Sequence, residues 1–367
     1  MSSPWWQWCC SSLPQRSSCV ECATSVQFVK AAIIGLGAMG RRHLIGCARV
    51  GIEVVRVVDP QIDRIAAQIG FGAGVELDVS VNRFLESPNA DLVIVSTPTI
   101  GRCSIATSLV DGNVPLVLLE KPLGRSLVEC RELYQASLKS KSRVAVNHPY
   151  RYMKQFQAVG EVVNSKEFGG LSSMHIVGGN GGLAMLMTHF VDFFELVTDD
   201  RIVEVQASFL DEIHPNPRGE HIQDYSGVVD AFTANGRRLR VDLGGSVDRP
   251  QGTGIVAIIA GPTGILQFDF LSGDIFSRIR GVEDINLPAT AYTVGLRERL
   301  EVSVTDLVDA SSQAMLSLAG NQDFCSIEQA LHFVEVQIAA HVSHNVGGSS
   351  VDVNKLDSWS TTEFAWA

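Results

Sequence analysis

The sequence predicts an α/β chain in two parts: a doubly wound parallel sheet, then an α+β domain on a large open, mainly antiparallel sheet. Three observations carry that reading. Up to residue 148, continuously apolar strands alternate with helix-like stretches. The first strand runs into a G-x-G-x-x-G turn. Past residue 170, strands joined by turn residues replace the alternation.

The first strand is "FVKAAIIG", a β-branched run leading into the helix-like "AMGRRHLIGCARV". "EVVRVVD" with "QIDRIAAQI", and a short "VELDVS" with "VNRFLES", repeat the unit. "DLVIVSTPT" feeds "GRCSIATSLVDG", "PLVLLEKP" feeds "RSLVECRELYQASLKS", and "RVAVN" closes the series. Strands apolar throughout are buried on both faces, as in a parallel sheet covered by helices. Right-handed crossovers wind such a sheet both ways, and its ligand is expected at the carboxyl ends of the strands.

The turn "GLGAMG" comprises Gly35, Leu36, Gly37, Ala38, Met39 and Gly40. The bare pattern is weak in a chain with 33 glycines. Its context is stronger, because it follows an apolar strand, opens a helix, and Asp59 ends the next strand. Gly35 permits the tight turn, Gly37 lets backbone N–H groups approach a pyrophosphate, and Gly40 lets the helix pack closely on the strand. The helix N-terminus adds partial positive charge. Asp59 is placed to accept hydrogen bonds from the adenosine ribose and to repel a 2′-phosphate. Pro60 and Gln61 follow with no adjacent arginine, so NAD is expected in preference to NADP. Residues 28–148 are therefore read as an NAD-binding Rossmann domain, against the plainer alternative of an α/β domain with an ordinary glycine turn.

Ser96, Thr97 and Pro98 set small polar groups beside the switch point. Glu120 and Lys121 end the fifth strand, where Pro122 fixes φ and donates no N–H. Lys121 then projects from a stiff edge, either beside the nicotinamide or as a solvated loop cation. Asn147, His148 and Arg151 follow the sixth strand and are expected to face nicotinamide or substrate.

In the second part, residues 149–352, the run "GGLAMLMTHFVDFF" holds one histidine, His189, with Asp192 a turn later. A helix apolar on every side is a core helix, and lone core histidines are more often structural than catalytic. "SGVVDAFTANGRRLRVDLGGS" reads as a hairpin with Asn235-Gly236 in a two-residue turn, both at φ > 0. "TGIVAIIAGPTGILQFDF" reads as another, joined by Gly261 to Gly264, and successive hairpins make an antiparallel sheet. The loop "HPNPRGEH" carries Arg218, which could bind an anionic sugar or nucleotide phosphate, or simply lie on the surface. "SIEQALHFVEVQIAAHV" has helical spacing and is expected to return to the first domain. The tail, residues 353–367, has two exposed-looking tryptophans and is read as a partner contact or as disordered.

Composition narrows the function. A net charge of −11 offers no basic stripe to nucleic acid or anionic lipid. No apolar stretch reaches the roughly 18 to 20 residues a membrane span needs. Four of the eight cysteines (Cys9, Cys10, Cys19, Cys22) sit in residues 1–27, an extension expected to be disordered, at spacings that match zinc sites poorly. No metal is expected. Without a signal-peptide pattern or a disulfide framework, a cytoplasmic location is expected.

Taken in order, "AAIIGLGAMGRRH", "IVSTPT", "LLEKPLG", "VAVNHPYRY", "FGGLSSMHIV" and "GGLAMLMTHFVDFFELV" resemble the Gfo/Idh/MocA family, oxidoreductases of the glucose–fructose oxidoreductase and inositol dehydrogenase kind. The resemblance runs from about residue 28 to about 352. It implies a bound nicotinamide cofactor, a sugar-type substrate, and a homo-oligomer, dimer or tetramer, formed through the C-terminal sheet. The family's E-K-P lysine falls on Lys121 and its helix histidine on His189. An alcohol oxidised by hydride loss must also lose its proton to a base, and a nearby ammonium stabilises the developing alkoxide. Two departures stand out. Met185 occupies the position of an aspartate one turn before the histidine, so either another group supplies the carboxylate or the lysine–histidine pair works alone. Arg102 replaces a histidine in the loop after the fourth strand. Asp192 could orient the imidazole or pair elsewhere. A redox-silent NAD-binding sensor and an NAD-dependent glycoside hydrolase remain as alternatives.

Overall fold

The computed structural model describes residues 29–366 except 73, 180, 215–221, 245–253, 282–283, 285–286 and 289–294. The cysteine-rich extension and Arg218 lie outside the described residues. The first half runs β1 (Lys30–Ile34), α1 (Ala38–Val50), β2 (Glu53–Val58), α2 (Ile62–Ala66), β3 (Glu76–Asp78), α3 (Val81–Glu86), β4 (Leu92–Val95), α4 (Arg102–Asp111), β5 (Leu116–Glu120), α5 (Leu127–Lys139) and β6 (Arg143–Asn147). The second continues α6 (Lys154–Val163), β7 (Ser173–Gly179), α7 (Leu183–Thr198), β8 (Ile202–His214), β9 (Asp224–Thr233), β10 (Arg238–Gly244), β11 (Ile255–Ala260), β12 (Gly264–Asp269), β13 (Ile275–Ile279), β14 (Arg297–Leu300), α8 (Leu307–Ala319), α9 (Ile327–Asn345) and β15 (Val351–Asp352).

Every residue of β4 and β5 is buried, which requires helices on both faces. The described strands of this half form a parallel sheet in the order β3-β2-β1-β4-β5-β6. Strand order reverses between β1 and β4, so the crevice for a ligand opens at their carboxyl ends. The second sheet has the order β14-β13-β12-β11-β7-β10-β9-β8-β15 and is mixed. Its strands are antiparallel except that β7 and β10 lie parallel. Alternating burial along β9 and β12 shows one covered face, packed on α7 and its neighbours, and one open face.

Helix α9 starts with a capping box between Ser326 and Gln329 and packs against α7 and β8 of its own half and α5 and β6 of the first. Helix α8, which the sequence did not announce, lies on α1 and puts Met315 and Leu318 into the apolar layer beneath the first sheet. The β9–β10 turn differs from the expected two-residue form. Gly236 N donates to Thr233 O at 3.1 Å and Thr233 N to Arg237 O at 3.0 Å, and only Gly236 takes positive φ, +78°. That is a three-residue loop with a glycine bulge.

The tail is ordered. Phe364 N donates to Arg125 O and Trp366 Nε1 to Gly124 O, each at 3.0 Å, while Gln223 N donates to Ala365 O at 2.8 Å. Trp366 is buried, stacked on Phe364 with ring centres 4.7 Å apart. Its aromatic surface covers a seam of this chain instead of waiting for a partner.

Candidate active site and cofactor cleft

The glycines take the roles that the turn demands. Gly35 sits at φ +88° with the Ser96–Thr97 backbone where a side chain would stand, and a Cβ on Gly40 would fall 2.0 Å from the Gly35 carbonyl oxygen, so the helix reaches the turn only because Gly40 has none. A Cβ on Gly37 would meet nothing within 4 Å, because it faces open space. Helix α1 has no side-chain cap there, leaving its opening N–H groups for an anion. Gly37 and Ala38 are exposed, Met39 is half-buried, and the Leu36 side chain is in the core, so Leu36 offers only its backbone. Asp59 accepts from Leu36 N at 2.7 Å and Gln61 N at 2.8 Å, which aims its carboxylate into a cleft of about 290 Å³. Arg41 and Arg64 line that cleft too. Sequence adjacency to Asp59 did not show them, since they come from α1 and α2. An uncapped helix start, open space at Gly37 and a carboxylate at the strand end fit a dinucleotide.

Behind the cleft lies a buried polar network. Ser96 Oγ donates to Gly35 O at 2.7 Å, bracing the glycine turn. Pro98 is exposed. Glu120 binds His43 Nε2 at 2.7 Å and accepts from Asn147 Nδ2 at 2.8 Å. Burial opposes its ionisation, yet His43, Asn147 and the charge of Arg102 hold it below the usual carboxylate range. Arg102 is buried and donates to the carbonyls of Glu120, Pro122 and Thr97. It ties the β4 and β5 loop ends together, so its expected place as a cofactor contact gives way to a bracing one. Glu120 and the Asn147 amide likewise face this network, and the Asn147 Nδ2 also reaches Ser311 Oγ on α8 at 3.2 Å.

Lys121, at the end of β5, is half-buried and crosses to α7, where its Nζ donates to the Met185 carbonyl at 2.6 Å. Met185 thus meets the lysine through its backbone, not its thioether. One turn on, His189 is buried with its ring 5.3 Å from that of His148 and 4.9 Å from that of Tyr150. Burial first, then the charge of Lys121 and the neighbouring His148, hold His189 well below the ordinary histidine range. Burial with Arg151 and Lys121 does the same to His148. Both imidazoles are therefore neutral at neutral pH, and the Nδ1 atom of each is buried with no partner among the described residues.

Asp192 does not orient His189. It pairs with Arg151, whose Nε lies 2.7 Å and Nη2 2.6 Å from Oδ1, and both are buried. This ion pair also withdraws Arg151 from the substrate role expected of it: a guanidinium committed to a buried carboxylate cannot leave without stranding that charge. Sequence reading missed Tyr150, which stacks on Phe156 with centres 4.1 Å apart and tilts over His189. It also missed Asp224 on β9, which accepts from the opening N–H groups of α7. No local pattern points to a carboxylate so far along the chain.

Fold and site together define an oxidoreductase with a dinucleotide cleft in one half and titratable groups from both halves at its edge. Residues 29–148 match the family model described as "Oxidoreductase family, NAD-binding Rossmann fold", GFO_IDH_MocA. The chain is 26% identical over 256 residues to inositol 2-dehydrogenase of Pseudomonas syringae pv. syringae (strain B728a), covering 65% of this chain and 74% of that protein. Among solved structures it is similar to an oxidoreductase from Agrobacterium radiobacter in complex with NAD+, L-tartaric acid and magnesium. The TM-score there is 0.73 and identity 14%, over 89% of this chain and 99% of that one. It is similar also to a super-repressor mutant of Gal80p from Saccharomyces cerevisiae, with TM-score 0.71 and identity 13%, over 89% and 98%. Residues 29–148 thus match the NAD-binding domain of the Gfo/Idh/MocA oxidoreductases, and the cofactor is NAD.

Proposed function

We propose that the protein is a dehydrogenase or reductase acting on a secondary alcohol or ketone of a polyol, sugar or sugar nucleotide, with Lys121 and His189 handling the proton. The observation that carries this is the convergence of the Lys121 ammonium from the first half with the uncharged His189 of the second, beside the dinucleotide cleft. NAD, when bound, supplies the hydride acceptor. The neutral His189 imidazole is the form that can take a hydroxyl proton. The Lys121 ammonium stabilises negative charge on the same oxygen, more strongly because the surroundings exclude water. Inositol 2-dehydrogenases among the relatives support a cyclic polyol as substrate.

The test is to mix the protein and NAD with inositols, aldoses, sugar acids and uridine-diphosphate sugars and follow the absorbance of reduced nicotinamide. Turnover on one member is expected. NAD binding with no absorbance change on any would replace this reading with a redox-silent sensor. Release of a leaving group from an aryl glycoside without net reduced cofactor would replace it with a glycoside hydrolase.

The same reading includes a homo-oligomer. Val177, Ile258 and Ile265 are 41%, 41% and 46% exposed on the open face of the second sheet, where cross-strand pairing sets them together. An apolar sheet face of this kind suits a second copy of the chain. Native mass spectrometry should then read a multiple of 39.7 kDa. No helix among the described residues is long and apolar enough to cross a membrane.

A further inference from the structure

We propose that Asp224 on β9 is a positioning residue that anchors the N-terminus of α7 and holds the Lys121 ammonium charged at the reacting oxygen. It rests on the reading that Lys121 acts at that oxygen.

Helix α7 begins without a cap of its own. Gly182 at its N-cap has no side chain, and no acidic residue stands in its first turn. Opening N–H groups of a helix need acceptors, and a buried start without them is costly. Asp224, itself fully buried, supplies both: Oδ1 accepts from Ala184 N at 2.6 Å and Oδ2 from Met185 N at 3.2 Å. Room for this exists only because residue 182 is glycine, since a Cβ there would lie 1.9 Å from Asp224 Oδ2.

The second link is Met185. Its N–H binds Asp224 and its carbonyl accepts from Lys121 Nζ, so one peptide segment joins the carboxylate to the ammonium. Burial pushes Asp224 up to about 6, against the pull of the Ala184, Met185 and Tyr225 N–H groups and the charge of Lys121. At neutral pH it is therefore a carboxylate. On α9 the neutral Gln337 binds the Ala184 carbonyl. A negative charge in such surroundings favours the charged form of a nearby amine. Because His189 sits one turn along the same helix, the carboxylate that fixes the helix start also fixes where the imidazole stands relative to Lys121.

The experiment is pH-dependent labelling of the full chain, saturated with NAD, by acetic anhydride, read by peptide mass spectrometry. Exposed Lys141 is the internal reference. In Asp224→Asn, Lys121 should lose part of its proton affinity and label about tenfold faster at pH 8, with Lys141 unchanged. Retained NAD binding reports that the variant is folded. Gly182→Ala is the second arm. It displaces the carboxylate without removing its charge and should raise Lys121 labelling by a smaller factor. If Asp224→Asn does not fold, the Gly182→Ala protein decides alone. Unchanged Lys121 labelling in a folded, NAD-binding variant overturns the proposal. Full turnover in Lys121→Ala would instead remove the role of Lys121 on which it rests, which keeps the two failures distinct.

Discussion

Glu120 and Asp192 are buried carboxylates in opposite halves of the molecule, each bonded to a basic side chain, yet they are driven in opposite directions. Glu120 has His43, Asn147 and the nearby Arg102 to favour its charge, and lies below the usual carboxylate range. Asp192 has Arg151 on Oδ1 while Oδ2 is buried with no partner among the described residues. Burial therefore pushes it up to about 6. The difference teaches how the halves are built. In the nucleotide half several polar groups gather on one carboxylate behind a cleft whose glycine turn is bare backbone. In the other half Asp192 has one basic partner and an unmet Oδ2, on the same helix as His189, whose Nδ1 is also unmet.

Three measurements press on that contrast. The largest effect should follow Gly40→Val, where backbone stands in the way of any added side chain. A loss of NAD binding and ~3 kcal/mol or more of stability is expected, read by calorimetry. A variant that still binds NAD would show that the backbone cleft is less rigid than the comparison requires. Next come Lys121→Ala and His189→Ala, which should leave NAD affinity nearly intact and cut turnover by ~10² or more, about 2.7 kcal/mol. Equal losses of binding and turnover would erase the division between the halves. The smallest concerns Asp192→Asn. The folded Asp192 binds its proton more tightly than the unfolded one, from 3.8 up to about 6, so its contribution to stability is lost as pH rises through 6. Between pH 7 and 5 the native protein should gain about 1 kcal/mol that the variant lacks, seen in paired melts. Glu120 runs the other way: its stabilisation is present above 4.5 and falls away below it. Parallel pH profiles for wild type and Asp192→Asn would break the contrast.

How much could be read from the residues follows the same division. The strand series, the glycine turn, Asp59 at its strand end and the presence of α7 and α9 were legible because each depends on neighbours in sequence: apolar periodicity and the conformation of a turn. Lys121 and His189 were expected on the resemblance alone; the charge of Lys121 bears on the buried His189 imidazole, and their part in the chemistry is the proposal made above. The rest depends on partners far along the chain. Asp192 looked available to His189 on helical spacing, and only the fold reveals that Arg151 takes it. Arg102 looked like a loop contact until its three carbonyl acceptors came into view. Helix α8 was missed because its buried face is largely alanine and serine, "DASSQAMLSLA", with little apolar contrast. Asp224 gave no signal at all, since a lone aspartate before a hairpin strand says nothing about a helix start elsewhere.

The carboxyl-terminal strap sets a limit on movement. Trp366 is fastened to the loop just after Lys121, while Ala365 is fastened to the residue just before Asp224. Parting the halves at that corner would have to tear one attachment or the other. If the molecule breathes to admit and release its ligands, the gape must widen on the opposite side, with this clasp as the pin of the door.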